Sequence, residues 1–224
     1  MWGAVPANDH PDGEGQVRLW ERNAVVDIDK LLARLSEHGL LLQQDKRLAS
    51  VIGVIVGGPL AGSWWSHPRG RHIFRCLEQL LGHPDVLLTR LIGGKVTYLH
   101  RKLWPAFLSV ATAAEPWQRR RLSREGRQLL RRIETGPAVR ASGRPAKELQ
   151  ERLLAYAEEV HTEAGRHEIV LLPWPSLRDR LGRLPRLTAA EGRAQLEQAA
   201  LAFGASGGSL PWRRFATGDI RALP

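Results

Sequence analysis

Trp64-Trp65-Ser66-His67-Pro68-Arg69-Gly70-Arg71-His72 opens the stretch that decides the fold. It closes with Leu87-Leu88-Thr89-Arg90-Leu91-Ile92-Gly93-Gly94-Lys95-Val96-Thr97-Tyr98-Leu99-His100-Arg101-Lys102-Leu103-Trp104. Between the two, Ile73, Cys76, Leu77, Leu80 and Leu81 recur at helical spacing, which predicts a helix from about Pro68 to Leu81 with Pro in its first turn. His83-Pro84-Asp85 then reads as a turn. Two strand-like runs, Val86 to Ile92 and Lys95 to Arg101, are joined by Gly93-Gly94, a connection suited to a tight hairpin. On the second run Val96, Tyr98 and His100 take one face, and Thr97, Leu99 and Arg101 the other.

Upstream, the apolar positions Val25, Ile28, Leu31, Leu32 and Leu35 predict a helix from Val25 to His38 that stops at Gly39. Leu40 to Leu42 and Val51 to Val56 read as extended segments flanking the polar patch Gln43-Gln44-Asp45-Lys46-Arg47, and Gly57-Gly58-Pro59 closes the second. Helix, strand, helix, hairpin is a winged-helix-like order, with Leu60 to Ser66 standing in for the remaining helix. The expected organisation is a flexible arm over 1–22, a winged-helix-like core over 23–116 and a helical C-terminal part over 117–224 packed on it. The fold class is therefore α+β and mainly helical. Downstream helices are expected at Trp104 to Ala113, Ser123 to Glu134, Pro145 to Glu163, Ser176 to Leu181 and Thr188 to Phe203. The last carries a capping box, Thr188-Ala189-Ala190-Glu191, and ends at Gly204. Gly136 to Gly143 reads as a linker, the tail from Ala205 as a segment lying across the body, and no internal repeat is visible.

The 224 residues carry 33 Lys+Arg against 23 Asp+Glu, a net charge of +10, which favours polyanionic partners. Only five of the cations are Lys, and the excess of Arg suits bidentate recognition of phosphate and guanine. The same bias also follows from a GC-rich genome. A single cysteine, Cys76, excludes an internal disulfide framework and a cysteine-rich zinc site, and its apolar surroundings make it a core residue. No apolar run approaches 18 residues and the N-terminus lacks the pattern of a signal peptide, so a cytoplasmic monomer without membrane contact is expected. Walker, Rossmann and Gly-x-Ser-x-Gly motifs are missing, and no cofactor or metal is expected.

Several features fit double-stranded DNA as the partner. Lys95 at the hairpin tip can reach a phosphate or the minor groove, with Arg90, Arg101 and Lys102 nearby. Adjacent Trp64 and Trp65 cannot both enter one core unless the backbone turns between them, so one is expected at the surface, able to stack on an unpaired base. Tyr98 shares that candidate role, and His67 and His100 are candidates for polar contact to a base. Arg119, Arg120 and Arg121 lead into Arg124, Arg127, Arg131 and Arg132, and a helix from Ser123 places 124, 127 and 131 on one face as a phosphate track. Each feature also has a plain structural alternative: a solvated hairpin, a buried aromatic corner, a solvated helix face.

The polar patch is the best candidate for chemistry. On an extended segment Gln43 and Asp45 face the same side, and a carboxylate beside an amide can orient water and stabilise an oxocarbenium-like sugar. Gly39-Leu40-Leu41-x-Gln43-x-Asp45, after a helix and ahead of a hairpin, resembles the Gln-x-Asp or Gln-x-Gln element of the winged-helix DNA glycosylases that remove bulky alkylated bases and unhook crosslinks. In that family the element positions the catalytic water and a β-hairpin probes the duplex. The resemblance covers seven residues and the coarse topology. It implies a monofunctional DNA glycosylase, a hydrolase, with Asp45 and Gln43 as catalytic residues. Such an enzyme would excise a damaged or hypermodified base, in repair or in antiviral defence. The alternative is a non-catalytic winged-helix DNA-binding protein. A third option, a metal-dependent nuclease using His161, Glu163 and His167, competes with a solvated helix end.

Overall fold

The computed structural model describes residues 27–136, 138–161 and 167–216. The fold is α+β, about 54% helical, with two small three-stranded antiparallel sheets. Among the described residues no helix is long and apolar enough to cross a membrane. The expected arm over 1–22 and the first residues of the first helix lie outside the described residues.

The first unit begins with helix α1, residues 27–38, which ends at Gly39. Strand β1 (Leu40–Leu42), helix α2 (Val51–Val56), a single 3-10 turn (Trp64–Ser66) and helix α3 (Gly70–Leu81) follow. Strands β2 (Val86–Thr89) and β3 (Thr97–His100) complete it, in the sheet order β1-β3-β2. Register is fixed by Leu41 opposite Tyr98 and by Leu88 opposite the same Tyr98, which makes β3 the central strand. A central strand covered on both faces buries successive residues, and Thr97, Tyr98 and Leu99 are all buried.

Val51 to Val56 is a helix, not the extended segment its β-branched residues suggest. Both ends are locally satisfied: the Ser50 hydroxyl accepts from the Gly53 amide at 3.1 Å, and Gly57 closes the helix in the left-handed region. Burial of Val51, Ile52 and Ile55 on one side then outweighs a propensity of a few tenths of a kcal/mol per residue, roughly. Leu60 to Ser66, expected to stand in for a helix, holds only the 3-10 turn.

Helix α4 (Trp104–Ala111) and the short α5 (Pro116–Arg119) lead into a second unit. It comprises α6 (Arg124–Thr135), β4 (Val139–Arg140), α7 (Gly143–Glu151), β5 (Tyr156–His161) and β6 (His167–Leu172), in the sheet order β4-β6-β5. The expected linker thus contains a strand. The expected helix from Pro145 to Glu163 stops at Glu151, because Leu153 takes a positive φ of 52° and buries its side chain as the chain turns into β5. Helix, short strand, helix and hairpin recur here with the strand order of the first sheet, a repetition of topology that the sequence does not display. The C-terminal part is therefore not purely helical.

Helices α8 (Trp174–Leu181), α9 (Ala189–Ala202) and α10 (Pro211–Arg214) return to the first unit. Two cores result. The larger joins Leu31, Leu41, Ile73, Leu99 and Phe107 with Trp174, Leu196 and Trp212, and the smaller holds Leu129, Ile133, Leu149 and Leu171 within the second unit. Helices α4 and α9 cross closely at Gly192, where a Cβ would collide with the Ser109 hydroxyl and meet the Ala106 carbonyl at 2.5 Å. The capping box at Thr188 and Glu191 forms as the sequence predicts.

Candidate functional site

The Trp-Trp pair lies in the 3-10 turn between Ser63 and His67, which leaves one ring in the core and lays the other over it. Trp64 enters the core at 7% exposure, whereas Trp65 stands at 66% and stacks on it with centroids 3.9 Å apart. Phe74 of α3 lies 5.8 Å from Trp65. Trp64 is therefore a support and not a surface contact, and Trp65 is the accessible ring. His67 accepts the Arg69 amide on Nδ1 at 3.1 Å, so one ring nitrogen is committed to the turn.

A polar cluster around buried Asp27 fixes the same turn. Asp27 of α1 accepts from Arg69 at 2.9 Å and lies 2.8 Å from His72 Nε2, and Arg69 also donates to the Ile55 carbonyl. Cys76 Sγ lies 3.7 Å from that same Nε2. A nucleophile relay needs the two ring nitrogens to face different partners, so this Asp-His-Cys set cannot act as one. Burial first, and then the Asp27 charge, push the Cys76 thiol up to about 11, as befits a core residue. With its inner face buried, α3 turns Arg71 and Arg75 outward, one helical turn apart. This pair is missing from the candidates drawn from sequence, although its spacing is visible opposite Ile73 and Leu77.

The hairpin departs from a free wing. Gly93 and Gly94 both have positive φ, 61° and 71°, and the Lys95 amide donates to the Ile92 carbonyl at 3.0 Å, a tight primed turn. It is set within the connection 90–96 and not between strands reaching Ile92 and Lys95, because β2 ends at Thr89 and β3 begins at Thr97. The tail covers this tip: the Gly93 amide donates to the Ser209 carbonyl at 2.8 Å, and a Cβ on Gly94 would meet Glu151 and Arg214 side-chain atoms within 3 Å. Arg90 donates to the Gly94 carbonyl at 3.1 Å, and Lys102 donates to the Ser36 and Glu37 carbonyls at the end of α1. Tyr98, at 1% exposure, belongs to the core, which removes it from the set of surface aromatics. His100 Nδ1 accepts the Lys102 amide, and burial foremost lowers its pKa, countered by Asp85. Arg101 remains exposed and pairs with Asp85 at 3.1 Å.

Lys95 stays exposed, and its ammonium donates to Oδ2 of the buried Asp45. Asp45 Oδ1 accepts the amides of Arg47 at 2.8 Å and Leu48 at 3.0 Å. Burial alone would raise this carboxyl, but the Lys95 ammonium and the two amides outweigh it and hold it at about 2. The carboxylate sits in a basin of about 490 Å³ lined also by Gln44, Lys46, Arg47, Leu60 and Gly62. Gln43 lines a different cleft, so the expected pairing of Gln43 with Asp45 does not form. The extended backbone ends at Leu42, and a two-residue alternation has no meaning beyond it. The amide sharing the basin is Gln44, whose Nε2 donates to the carbonyls of Gly62 at 2.8 Å and Leu60 at 3.3 Å. Neither Trp64 nor His67 lines this basin.

On α6 the outward face carries Arg124, Arg127 and Arg131, as the helical spacing predicts, while Leu129, Leu130 and Ile133 face the smaller core. Arg119 pairs with Glu134, and Arg127 also donates to the Leu122 carbonyl. Arg120 is exposed at the end of α5. His161 and His167 lie opposite each other in the β5–β6 register, and Glu163 lies outside the described residues. Among the described residues no three His, Cys, Asp or Glu groups are placed to hold a metal ion. No protein-family model matches the chain, and neither a curated protein nor a solved structure shows significant similarity to it.

Proposed function

We propose that the protein binds double-stranded DNA through a winged-helix unit running from α1 to β3, with α3 presented to the major groove. Element order and the strand order β1-β3-β2 agree with that plan. The observation that carries the reading is Trp65, an exposed ring braced on buried Trp64 at the head of a helix whose outward face holds Arg71 and Arg75. In a chain of net charge +10 this is an aromatic and cationic surface suited to phosphate and base contact. Covering of the hairpin tip by the tail shifts the grip from the hairpin to α3. The test is fluorescence anisotropy with a labelled 25-base-pair duplex. Arg71→Gln with Arg75→Gln is expected to weaken binding about tenfold or more, on the order of 1–3 kcal/mol. Unchanged affinity in that double variant overturns the assignment of α3.

A second reading, base excision, is favoured by one observation: Asp45 is held ionised at the floor of a basic basin. A carboxylate of so low a pKa is a poor general base but a good electrostatic partner for positive charge growing on a sugar C1′. In this reading Asp45 stabilises the charged sugar, Gln44 takes the place foreseen for Gln43, and Lys46 and Arg47 hold the flanking phosphates. The leaving group is a damaged or hypermodified base, in repair or in defence. Incubation with alkylated and hypermodified DNA, followed by alkaline cleavage of abasic sites, decides it. Breaks abolished by Asp45→Asn support the reading, and breaks that survive this substitution, or none with any substrate, refute it.

A further inference from the structure

We propose that the cleft between the two sheets binds a small, flat, largely apolar molecule bearing a hydrogen-bond acceptor. The sheet orders leave β2 and β5 as edge strands, and these two edges face each other without pairing. Between them opens a cleft of about 690 Å³, within the range of small-molecule sites, and such sites favour the junction of two structural units. One wall is formed by consecutive residues 86–90 and the other by 155–158, so the space is a slit along two strands.

Two further observations point to a ligand. Leu81 at 37% exposure and Ile169 at 45% both line the cleft, and they are two of the four large hydrophobic side chains most exposed among the described residues. Exposed apolar groups concentrated around one opening mark a binding surface better than scattered ones do. Thr89, 7% exposed, lines the same cleft with its hydroxyl unpartnered, and the neighbouring Arg90 Nε is unpartnered too. Native interiors leave few polar groups unsatisfied, and two adjacent ones beside a cavity suit an acceptor brought by a ligand.

The cleft is remote from the surface proposed to meet DNA. Leu81, at its edge, ends α3, whereas Trp65 precedes the start of that helix, and twelve residues span about 18 Å. A base stacked on Trp65 therefore does not reach the slit, and the occupant is a free small molecule. Occupation of the slit is independent of DNA binding.

The test uses the full chain and 2-naphthoate, a flat apolar body with a carboxylate acceptor, titrated by calorimetry in the absence of DNA. Saturable one-to-one binding is expected in the wild type, weakened several-fold in Thr89→Val and at least tenfold in Leu88→Trp, which fills the slit. Ile169→Glu, at an already exposed position, repeats the tenfold loss without touching the core and serves if Leu88→Trp fails to fold. Absence of saturable binding to the wild type, or undiminished binding in Ile169→Glu, overturns the proposal.

Discussion

At the scale of single residues, neighbours in sequence meet opposite environments, the inner ring of a stacked pair in the core and the outer one in solvent. Trp64 and Trp65 are chemically identical, yet one is core and the other is surface. Trp64→Ala is expected to cost about 3–5 kcal/mol in urea unfolding, and Trp65→Ala less than about 1 kcal/mol, since only the first opens a cavity. Equal losses in the two variants would contradict the placement of the rings. Asp45 supplies a pH dependence. Its folded pKa, about 2, lies below its ordinary 3.8, so its contribution is fully present above pH 4 and is lost as pH falls toward 2. The amount is about 2 kcal/mol, and urea midpoints for wild type and Asp45→Asn should converge over that window.

The relation of Gln43 to Asp45 is legible only as far as the strand extends. Their two-residue spacing is informative on an extended backbone, and the Asx-type turn that Asp45 itself caps ends the extension. Trp65 is half legible: a Trp pair demands that one ring leave the core, but nothing in the two letters says which. The burial of Tyr98 and the ion pair of Lys95 escape a sequence reading for a related reason, since both are set by residues about fifty positions away.

At the scale of elements, amphipathic helices are the most legible part of the chain. The stripes of α3 and α6 are local properties of 3.6-residue periodicity, and the Thr188–Glu191 capping box of α9 is local hydrogen-bonding chemistry. Helix α2 resembles a strand because β-branched residues dominate it, while its Ser50 cap and Gly57 stop carry the correct signal. Where α4 and α9 cross, Gly192→Val must displace the Ser109 side chain and the α4 backbone. It is expected to destabilise by about 2–3 kcal/mol, seen as a fall in Tm. An unchanged Tm would show that the two helices do not approach so closely. Local chemistry also closes the end of β3: His100 Nδ1 accepts the Lys102 amide only when unprotonated, and burial of the ring shifts its pKa in the direction that favours that form.

At the scale of the whole molecule, charge governs association. If Arg124, Arg127 and Arg131 track phosphates, replacing all three with Gln should flatten the slope of log affinity against log salt by about 0.9 for each phosphate no longer neutralised. A slope identical to wild type would leave α6 outside the interface. Two units of like strand order meet in the larger core, which takes in Tyr156 of β5, and residues 205–216 pack on the first of them. This segment seats Ser209 on the hairpin tip and buries Leu210 and Trp212 in the larger core.

The amino-acid sequence by itself determined the charge, the helical stripes, the caps and the primed turn at Gly93-Gly94, because each is set by residues within one or two turns of chain. Only the tertiary structure decided that β3 is central, that the hairpin tip is covered, that Asp45 pairs with Lys95 and that the second half repeats the first sheet's order. Those features are contacts between segments far apart in sequence. Their free energy comes from shared burial and paired charge, to which no local window of residues has access.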